Sequence, residues 1–124
     1  MDRKFVFKLC KEKYGTEPDY PFEDDYISAV LRHSDSRKWY ALVMNVSPKV
    51  FGLPDDKKTD VVNLKIDPMT RGSFINEKGI FPAYHMSKNC WISVLLDGTV
   101  SKETISFLID ISFTLTDKNR KHKK

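Results

Sequence analysis

Hydrophobic residues recur along the chain at spacings that predict an alternation of helices and strands. Residues 2–14 are predicted to form an amphipathic helix, because Phe5 and Leu9 lie four positions apart, the spacing that aligns side chains on one helical face. Gly15 follows at the position where a left-handed residue commonly ends a helix. The segment 16–25 contains two prolines and five acidic residues, and we expect it to be a loop.

Three strands are predicted next, over residues 26–33, 38–46 and 60–66, because apolar residues alternate in each. The second strand is apolar on both faces, which is typical of a strand inside a sheet. Its predicted faces are Trp39, Ala41 and Val43 on one side and Tyr40, Leu42 and Met44 on the other. In the third strand, the residues predicted to face inward are Val62, Leu64 and Ile66, and those predicted to face outward are Asn63 and Lys65. Between these two strands, Val50 and Phe51 are expected to form a short edge pairing.

The dipeptide Asp67-Pro68 predicts a helix N-terminus, since Asp is a favoured N-cap and Pro a favoured first helical residue. We expect this helix to run to about Lys78 and to end at Gly79. Residues 81–86 are predicted to be extended but irregular, because Pro82 removes a backbone donor.

Residues 91–96 are predicted to be a strand that ends at the turn-forming pair Asp97-Gly98. The segment after it fits two structures equally well. Apolar residues alternate with a period of two, which favours a strand, at positions Ile105, Phe107, Ile109, Ile111, Phe113 and Leu115. Ser101 is a favourable helix N-cap, and Ile105, Leu108, Ile109 and Ser112 share a helical face. The predicted order is therefore α-β-β-β-α-β followed by a strand or a helix, an α+β two-layer domain.

Length and charge narrow the class of protein. The chain has 124 residues, which fits one domain, predicted over residues 1–116. The isoelectric point near 9.0 suggests a polyanionic partner, but the excess charge lies in one place. Residues 117–124 hold five basic residues and one acidic residue, whereas residues 1–116 hold 16 of each. We expect residues 117–124 to be a basic, disordered tail.

The sequence contains no catalytic motif, so no enzyme activity is predicted. The chain has no Gly-rich phosphate loop, and its His and Cys residues lack metal-ligand spacing, so we expect no cofactor and no metal. The two cysteines, Cys10 and Cys90, cannot build a disulfide framework, which favours a cytoplasmic protein. No apolar run approaches the roughly 20 residues needed to cross a bilayer, so no membrane association is expected.

Three blocks of the sequence resemble the MmcQ/YjbR-like family. The resemblance is carried by the strand 62–66 followed by Asp67-Pro68, by the segment 79–94, and by 108–115, which reads Leu-Ile-Asp-Ile-Ser-Phe-Thr-Leu. The most specific pattern is Pro-x-Tyr-His-x-x-Lys-x-x-Trp, formed by Pro82, Tyr84, His85, Lys88 and Trp91. Upstream, Pro21-Phe22 and the hairpin segment 37–41 also resemble family elements. The sequence departs from the pattern at Cys90, where the family commonly has His.

The resemblance implies the order α-β(3)-α-β(2)-α, with an antiparallel sheet, residues 81–86 as a strand and the last segment as a helix. It also implies DNA binding, since the family carries a double-wing DNA-binding description. The residues expected to contact nucleic acid are Lys65, Arg71, Tyr84, His85 and Lys88. Pro82 and Trp91 are expected to act as structural anchors that hold the loop between them.

Three functions therefore remain open from the sequence. The first is a DNA-binding module with weak, salt-dependent affinity. The second is a protein-interaction module, which predicts an exposed apolar patch. The third is a small-ligand or enzyme site around His85, which predicts a cavity containing a perturbed titratable group.

Overall fold

The computed structural model describes residues 1–117 as three α-helices and one five-stranded antiparallel sheet. The elements in chain order are α1 (Arg3–Tyr14), β1 (Ala29–Arg32), β2 (Trp39–Val46), a 3-10 helix (Pro48–Phe51), β3 (Thr59–Lys65), α2 (Arg71–Ile75), β4 (Ile80–Pro82), β5 (Trp91–Leu95) and α3 (Lys102–Thr116). This order confirms the predicted α+β class and the order α-β(3)-α-β(2)-α. The predicted tail 117–124 lies, except for Asp117, outside the described residues.

Helix α1 has the ends that the sequence predicts. The Asp2 side chain accepts a hydrogen bond from Lys4 N at 2.9 Å, which caps the first turn. Gly15 ends the helix with a φ of 67°, a conformation that glycine adopts at little cost, and donates its N–H to Lys11 O. Val6 and Cys10 are buried against the sheet.

A charged contact ties the start of α1 to the sheet. Arg3 donates its backbone N–H and its guanidinium to the Asp60 carboxylate, with Arg3 N 3.0 Å from Oδ2 and Nη2 3.0 Å from Oδ1. Asn45 Nδ2 donates to the same carboxylate at 3.0 Å. Burial by itself raises the pKa of Asp60, but the hydrogen bonds from Arg3 and Asn45 outweigh it and hold the pKa below its ordinary value.

The strand order in the sheet is β1-β2-β3-β5-β4, and all neighbouring strands are antiparallel. Strand β3 occupies the centre, where Leu64 lies opposite Ala41 of β2 and Ile92 of β5. The helices pack on one face of this sheet, and the fully buried side chains of that core include Val6, Tyr40, Leu64, Ile92, Ile105 and Ile109. The opposite face is covered by loops, and its core consists of Val30, Leu42 and Met44.

A β-bulge changes which face each residue of β2 occupies. Leu31 pairs with Ala41 and Arg32 pairs with Trp39, so Tyr40 is the extra residue between them. Tyr40 therefore joins Ala41 in the helix-side core, whereas Trp39 packs on the loop-covered face. The predicted face assignment of Trp39 and Tyr40 was wrong, because strict alternation fails across a bulge. In β3 the predicted inward residues do face the helices, whereas Asn63 is fully buried under the covering loop instead of facing solvent.

The last segment is a helix, as the resemblance implies. The Ser101 hydroxyl accepts a hydrogen bond from Thr104 N at 3.1 Å and caps the first turn of α3. One face of the helix is buried against the sheet, with Ile105, Leu108, Ile109, Ser112 and Thr116 in contact with the core side. The helical spacing in this segment therefore outweighs the period of two.

Three local predictions were wrong. The helix expected from Asp67 to Lys78 extends only over Arg71–Ile75. The Asp67 side chain does cap Met69 N at 2.9 Å, but residues 68–70 form turns, and regular helix begins only at Arg71. The strand expected over 81–86 ends at Pro82, beyond which the chain turns across the sheet. Val50 and Phe51 belong to the 3-10 helix and not to a sheet edge. This helix begins at Ser47, whose hydroxyl accepts a hydrogen bond from Lys49 N.

Candidate functional site

The residues of the specific sequence pattern form one loop, residues 83–90, which we call the 83–90 loop. It connects β4 to β5 and is closed at its base by two backbone hydrogen bonds, Ala83 N to Trp91 O at 3.2 Å and Trp91 N to Ser87 O at 3.0 Å. The loop reaches over the sheet, since Tyr84 and Met86 pack against the Leu42 cluster on β2. It therefore covers the face that the helices leave open.

A buried polar network holds the 83–90 loop to the centre of the sheet. Asn63 Nδ2 donates to Tyr84 O at 2.9 Å, and Ser93 Oγ donates to Asn63 Oδ1 at 2.5 Å. Tyr84 N completes the network by donating to Ser93 Oγ at 3.0 Å. Asn63 and Ser93 are both fully buried, and they form a cross-strand pair on β3 and β5. The network thus replaces a ladder of backbone bonds that the loop cannot make.

Tyr84 and His85 lie together at the turn of this loop. Their ring centroids are 3.8 Å apart with an angle of 43° between the planes, and the Tyr84 ring also meets Phe51 edge-on. Tyr84 is half-buried, whereas His85 is exposed. His85 adopts a φ of 67°, a left-handed conformation that costs energy for a residue with a Cβ.

Two of the three basic residues predicted at the site are joined at the loop, and the third lies at the end of the neighbouring strand β3. Arg71 Nε donates to Lys88 O at 2.5 Å, and Lys88 Nζ donates to Ala83 O at 2.9 Å. Lys65 ends β3 opposite Trp91, and the next residue along, Ile66, donates its N–H to Cys90 O at 2.8 Å. We call the surface formed by Lys65, Arg71 and Lys88 the basic surface. Among residues 1–117, these three side chains have no carboxylate within 4.0 Å, since the ion pairs involve Arg3, Lys11, Lys13, Arg32 and Lys49.

The two residues predicted to be anchors lie at the ends of the loop. Pro82 is the last residue of β4 and pairs with Ile92. Because β4 is an edge strand, the missing N–H of proline breaks no interior ladder. Trp91 is half-buried and begins β5, where its backbone N–H and C=O close the loop. The anchoring role of both residues stays a prediction.

A cavity of about 370 Å³ lies beside the His85 end of the loop, on the same face of the sheet. Its lining consists of Phe22, Asp25, Ser28, Trp39, Leu42, Met44, His85 and Met86. Sequence reasoning expected a cavity near His85 only as its third alternative, and it missed Asp25, Ser28 and Trp39 as lining residues. The alternation pattern could not identify Trp39 as a lining residue, because regular alternation turns its ring toward the helices and the bulge at Tyr40 reverses that face.

Two properties of the described part of the chain bear on function. Residues 1–117 contain no group of three or more His, Cys, Asp or Glu side chains that could hold a metal ion. They also contain no helix that is both long and apolar enough to cross a membrane.

Comparisons with known proteins place this loop-covered α+β sheet in a family. A family model described as YjbR matches residues 11–115. The uncharacterized protein YyaQ of Bacillus subtilis is 45% identical over 116 residues, which is 94% of this chain and 98% of that protein. The chain therefore belongs to the YjbR family, which confirms the resemblance.

Two solved structures share this fold. The crystal structure of a Pseudomonas syringae protein matches with a TM-score of 0.91 and 44% identity, covering 94% of this chain and 100% of that one. The crystal structure of a Deinococcus radiodurans protein described by the domain DUF419 matches with a TM-score of 0.70 and 25% identity, covering 94% of this chain and 79% of that one.

Proposed function

We propose that the protein binds duplex DNA through the basic surface. The observation that supports this proposal is that Lys88 of the 83–90 loop, Arg71 of α2 and Lys65 of β3 come from three separate segments and have no carboxylate partner within 4.0 Å in residues 1–117. Lysine and arginine contacts to phosphate supply most of the affinity in sequence-independent DNA binding.

Two side chains of the basic surface are held in place by hydrogen bonds to backbone oxygens. Arg71 uses Nε on Lys88 O, so the remaining guanidinium donors are Nη1 and Nη2. Lys88 uses one of its three N–H donors on Ala83 O. Side chains already fixed in this way lose little conformational entropy when they bind phosphate, which favours the complex.

The rings beside the basic surface add a second kind of contact. His85 is exposed at the loop turn, and its ring lies against Tyr84 at 3.8 Å between centroids. Exposed rings of this kind stack on bases that leave the helix stack. Because residues 1–116 carry equal numbers of basic and acidic residues, the affinity has to come from this local surface and from the basic segment after it.

The test is a salt series of fluorescence anisotropy with a labelled generic duplex and the full chain. Lys65→Gln, Arg71→Gln and Lys88→Gln are compared with Lys8→Gln, an exposed residue of α1. Each variant of the basic surface is expected to weaken binding and to lower the slope of log K against log salt by about 1. Lys8→Gln is expected to leave both unchanged. Equal behaviour of all four variants and the unsubstituted chain excludes the basic surface as the DNA contact.

A second candidate is a surface for another protein copy, favoured by one observation on α3. Phe107 is 56% exposed, and a shallow groove of about 270 Å³ runs from it past Ile111 to Leu115. Exposed apolar patches of this kind mark association surfaces. Sedimentation velocity over a range of concentrations tests this: self-association that Phe107→Ser abolishes supports the candidate, and a monomer at every concentration excludes it.

A further inference from the structure

The cavity beside His85 combines an aromatic wall with one fixed carboxylate. Phe22 meets Trp39 edge-on, with ring centroids 5.8 Å apart and 87° between the planes. Leu42, Met44 and Met86 complete the apolar lining. The volume of about 370 Å³ falls in the range of small-molecule sites, which also combine apolar walls with a few fixed polar groups.

Asp25 is the fixed polar group at the rim of this cavity. Its Oδ1 accepts hydrogen bonds from Ile27 N at 2.8 Å and Ser28 N at 2.9 Å, so the turn itself orients the carboxylate. The Ser28 side chain and the two backbone N–H groups hold the pKa of Asp25 below its ordinary value, which keeps the group ionised near neutral pH.

The basic residues near Asp25 are engaged with other groups. Arg3, whose charge acts on Asp25, directs its guanidinium to Asp60 and to Ile27 O. Arg32 lies 5.8 Å from the Trp39 ring centroid, and its charge is paired with Asp19 at 2.9 Å. Among residues 1–117, Asp25 has no basic side chain within 4.0 Å. The adjacent residues Glu23 and Asp24 are acidic and exposed, and they add negative charge beside Asp25.

A strained residue lies on the other wall. His85 lines the cavity and adopts a φ of 67°. Left-handed backbone at a residue with a Cβ persists where the surroundings fix it, and such residues cluster at ligand sites. The imidazole lies beside the Tyr84 ring, with 3.8 Å between the ring centroids.

We propose that this cavity binds a small organic cation, an amine whose aromatic or alkyl body packs against Phe22 and Trp39 while its ammonium group faces Asp25. The chemistry is complementary on both counts, since ammonium groups are attracted both to carboxylates and to the faces of aromatic rings. The site differs in charge from the basic surface and shares only His85 with the proposed DNA contact.

The test uses three probes of nearly equal shape and different charge: 2-phenylethylamine, 2-phenylethanol and phenylacetate. Binding to the full-length protein is followed by NMR of the two indole N–H groups, those of Trp39 and Trp91. The Trp39 signal reports on the cavity, whereas the Trp91 signal lies in β5, outside its lining, and is an internal control. Asp25→Asn retains a side-chain oxygen that can accept the same two N–H bonds, and Asp24→Asn is the matched control for the loss of one negative charge.

The amine is expected to shift the Trp39 signal saturably and to bind at least about threefold more tightly than the alcohol, a ratio suited to a rim carboxylate. Phenylacetate is expected to bind more weakly than the alcohol. Asp25→Asn is expected to bring the amine down to the affinity of the alcohol, and Asp24→Asn to retain the preference. No saturable shift of Trp39, equal binding of amine and alcohol, or tighter binding of phenylacetate overturns the proposal. These three outcomes are measured on the unsubstituted protein, so they decide the proposal even where a variant does not fold.

Discussion

The buried network under the 83–90 loop is expected to contribute more to stability than any other polar contact on that face. Asn63→Ala removes the side chain that accepts from Ser93 Oγ and donates to Tyr84 O. Both partners then lose a hydrogen bond, the Ser93 hydroxyl in a fully buried place and the Tyr84 carbonyl in a partly buried one.

The size of the effect follows from these two lost contacts. A buried polar group left without its partner costs about 1–3 kcal/mol, so two of them cost about 2–6 kcal/mol. A domain of this size is stable by about 5–15 kcal/mol, so the loss is a large part of the total. With a urea m-value of about 2 kcal/mol per molar, the unfolding midpoint is expected to fall by about 1–3 M.

The measurement is equilibrium urea unfolding followed by circular dichroism and Trp fluorescence. Asn76→Ala is the control, because Asn76 is exposed and, within residues 1–117, its side chain bonds only to Gly72 O in its own turn. We expect this substitution to change the free energy of unfolding by less than about 0.5 kcal/mol. Should Asn63→Ala cost no more than Asn76→Ala, the network does not hold the loop to the sheet. In a double-mutant cycle, Asn63→Ala and Ser93→Ala are expected to be less costly together than the sum of the single changes.

Three further predictions test other parts of the fold. Asp60→Asn is expected to destabilise the protein by about 1–3 kcal/mol at neutral pH. Because the fold lowers the pKa of Asp60, this stability difference is fully present above the unfolded pKa of about 4 and disappears as the pH falls through the folded pKa. A stability difference that stays undiminished at low pH in urea titrations contradicts the assignment. Gly79→Ala is expected to cost about 1–3 kcal/mol in a thermal unfolding assay, since Gly79 has a φ of +89° and an added Cβ meets Val100 Cγ2 at 2.8 Å. The control is Gly72→Ala in α2, where an added Cβ meets nothing within 4 Å and the change is expected to be neutral or stabilising. Equal effects of the two substitutions refute the backbone argument. Burial raises the pKa of the Cys10 thiol to about 11. Ellman's reagent is therefore expected to label Cys90 in the native protein and Cys10 only after unfolding. Rapid labelling of both thiols in the native protein contradicts the burial of Cys10.

Local chemistry in the sequence accounts for most of the element boundaries. Gly15 ends α1 as predicted, and α3 begins at the Ser101 cap that the sequence indicates. The segment 105–115 could not be decided by its pattern, because the same residues satisfy a period of two and a helical face. Its helix was predicted only through the family resemblance.

The errors in the sequence reasoning come from contacts between distant segments. The bulge at Tyr40 depends on pairing with β1, and the burial of Asn63 depends on a loop that lies 21 residues away in the sequence. Asp67-Pro68 resembles the start of a long helix, but the helix that follows is short, since α2 spans only five residues. Lys65 and Lys88 were predicted from the family pattern and Arg71 from its charge, whereas the cavity residues Asp25 and Trp39 come together only in the folded chain.

DNA affinity measured across a salt series, with a chain that ends at residue 117, tests the central claim most directly. That chain lacks residues 118–124, which contain five of the 21 basic residues, and it retains the whole basic surface. We predict that it still binds generic duplex DNA at low salt, with an affinity that falls linearly in log salt, and that Lys65→Gln, Arg71→Gln and Lys88→Gln combined remove this binding. Loss of all binding together with residues 118–124 contradicts the account, because the affinity then belongs to that segment and not to the folded domain.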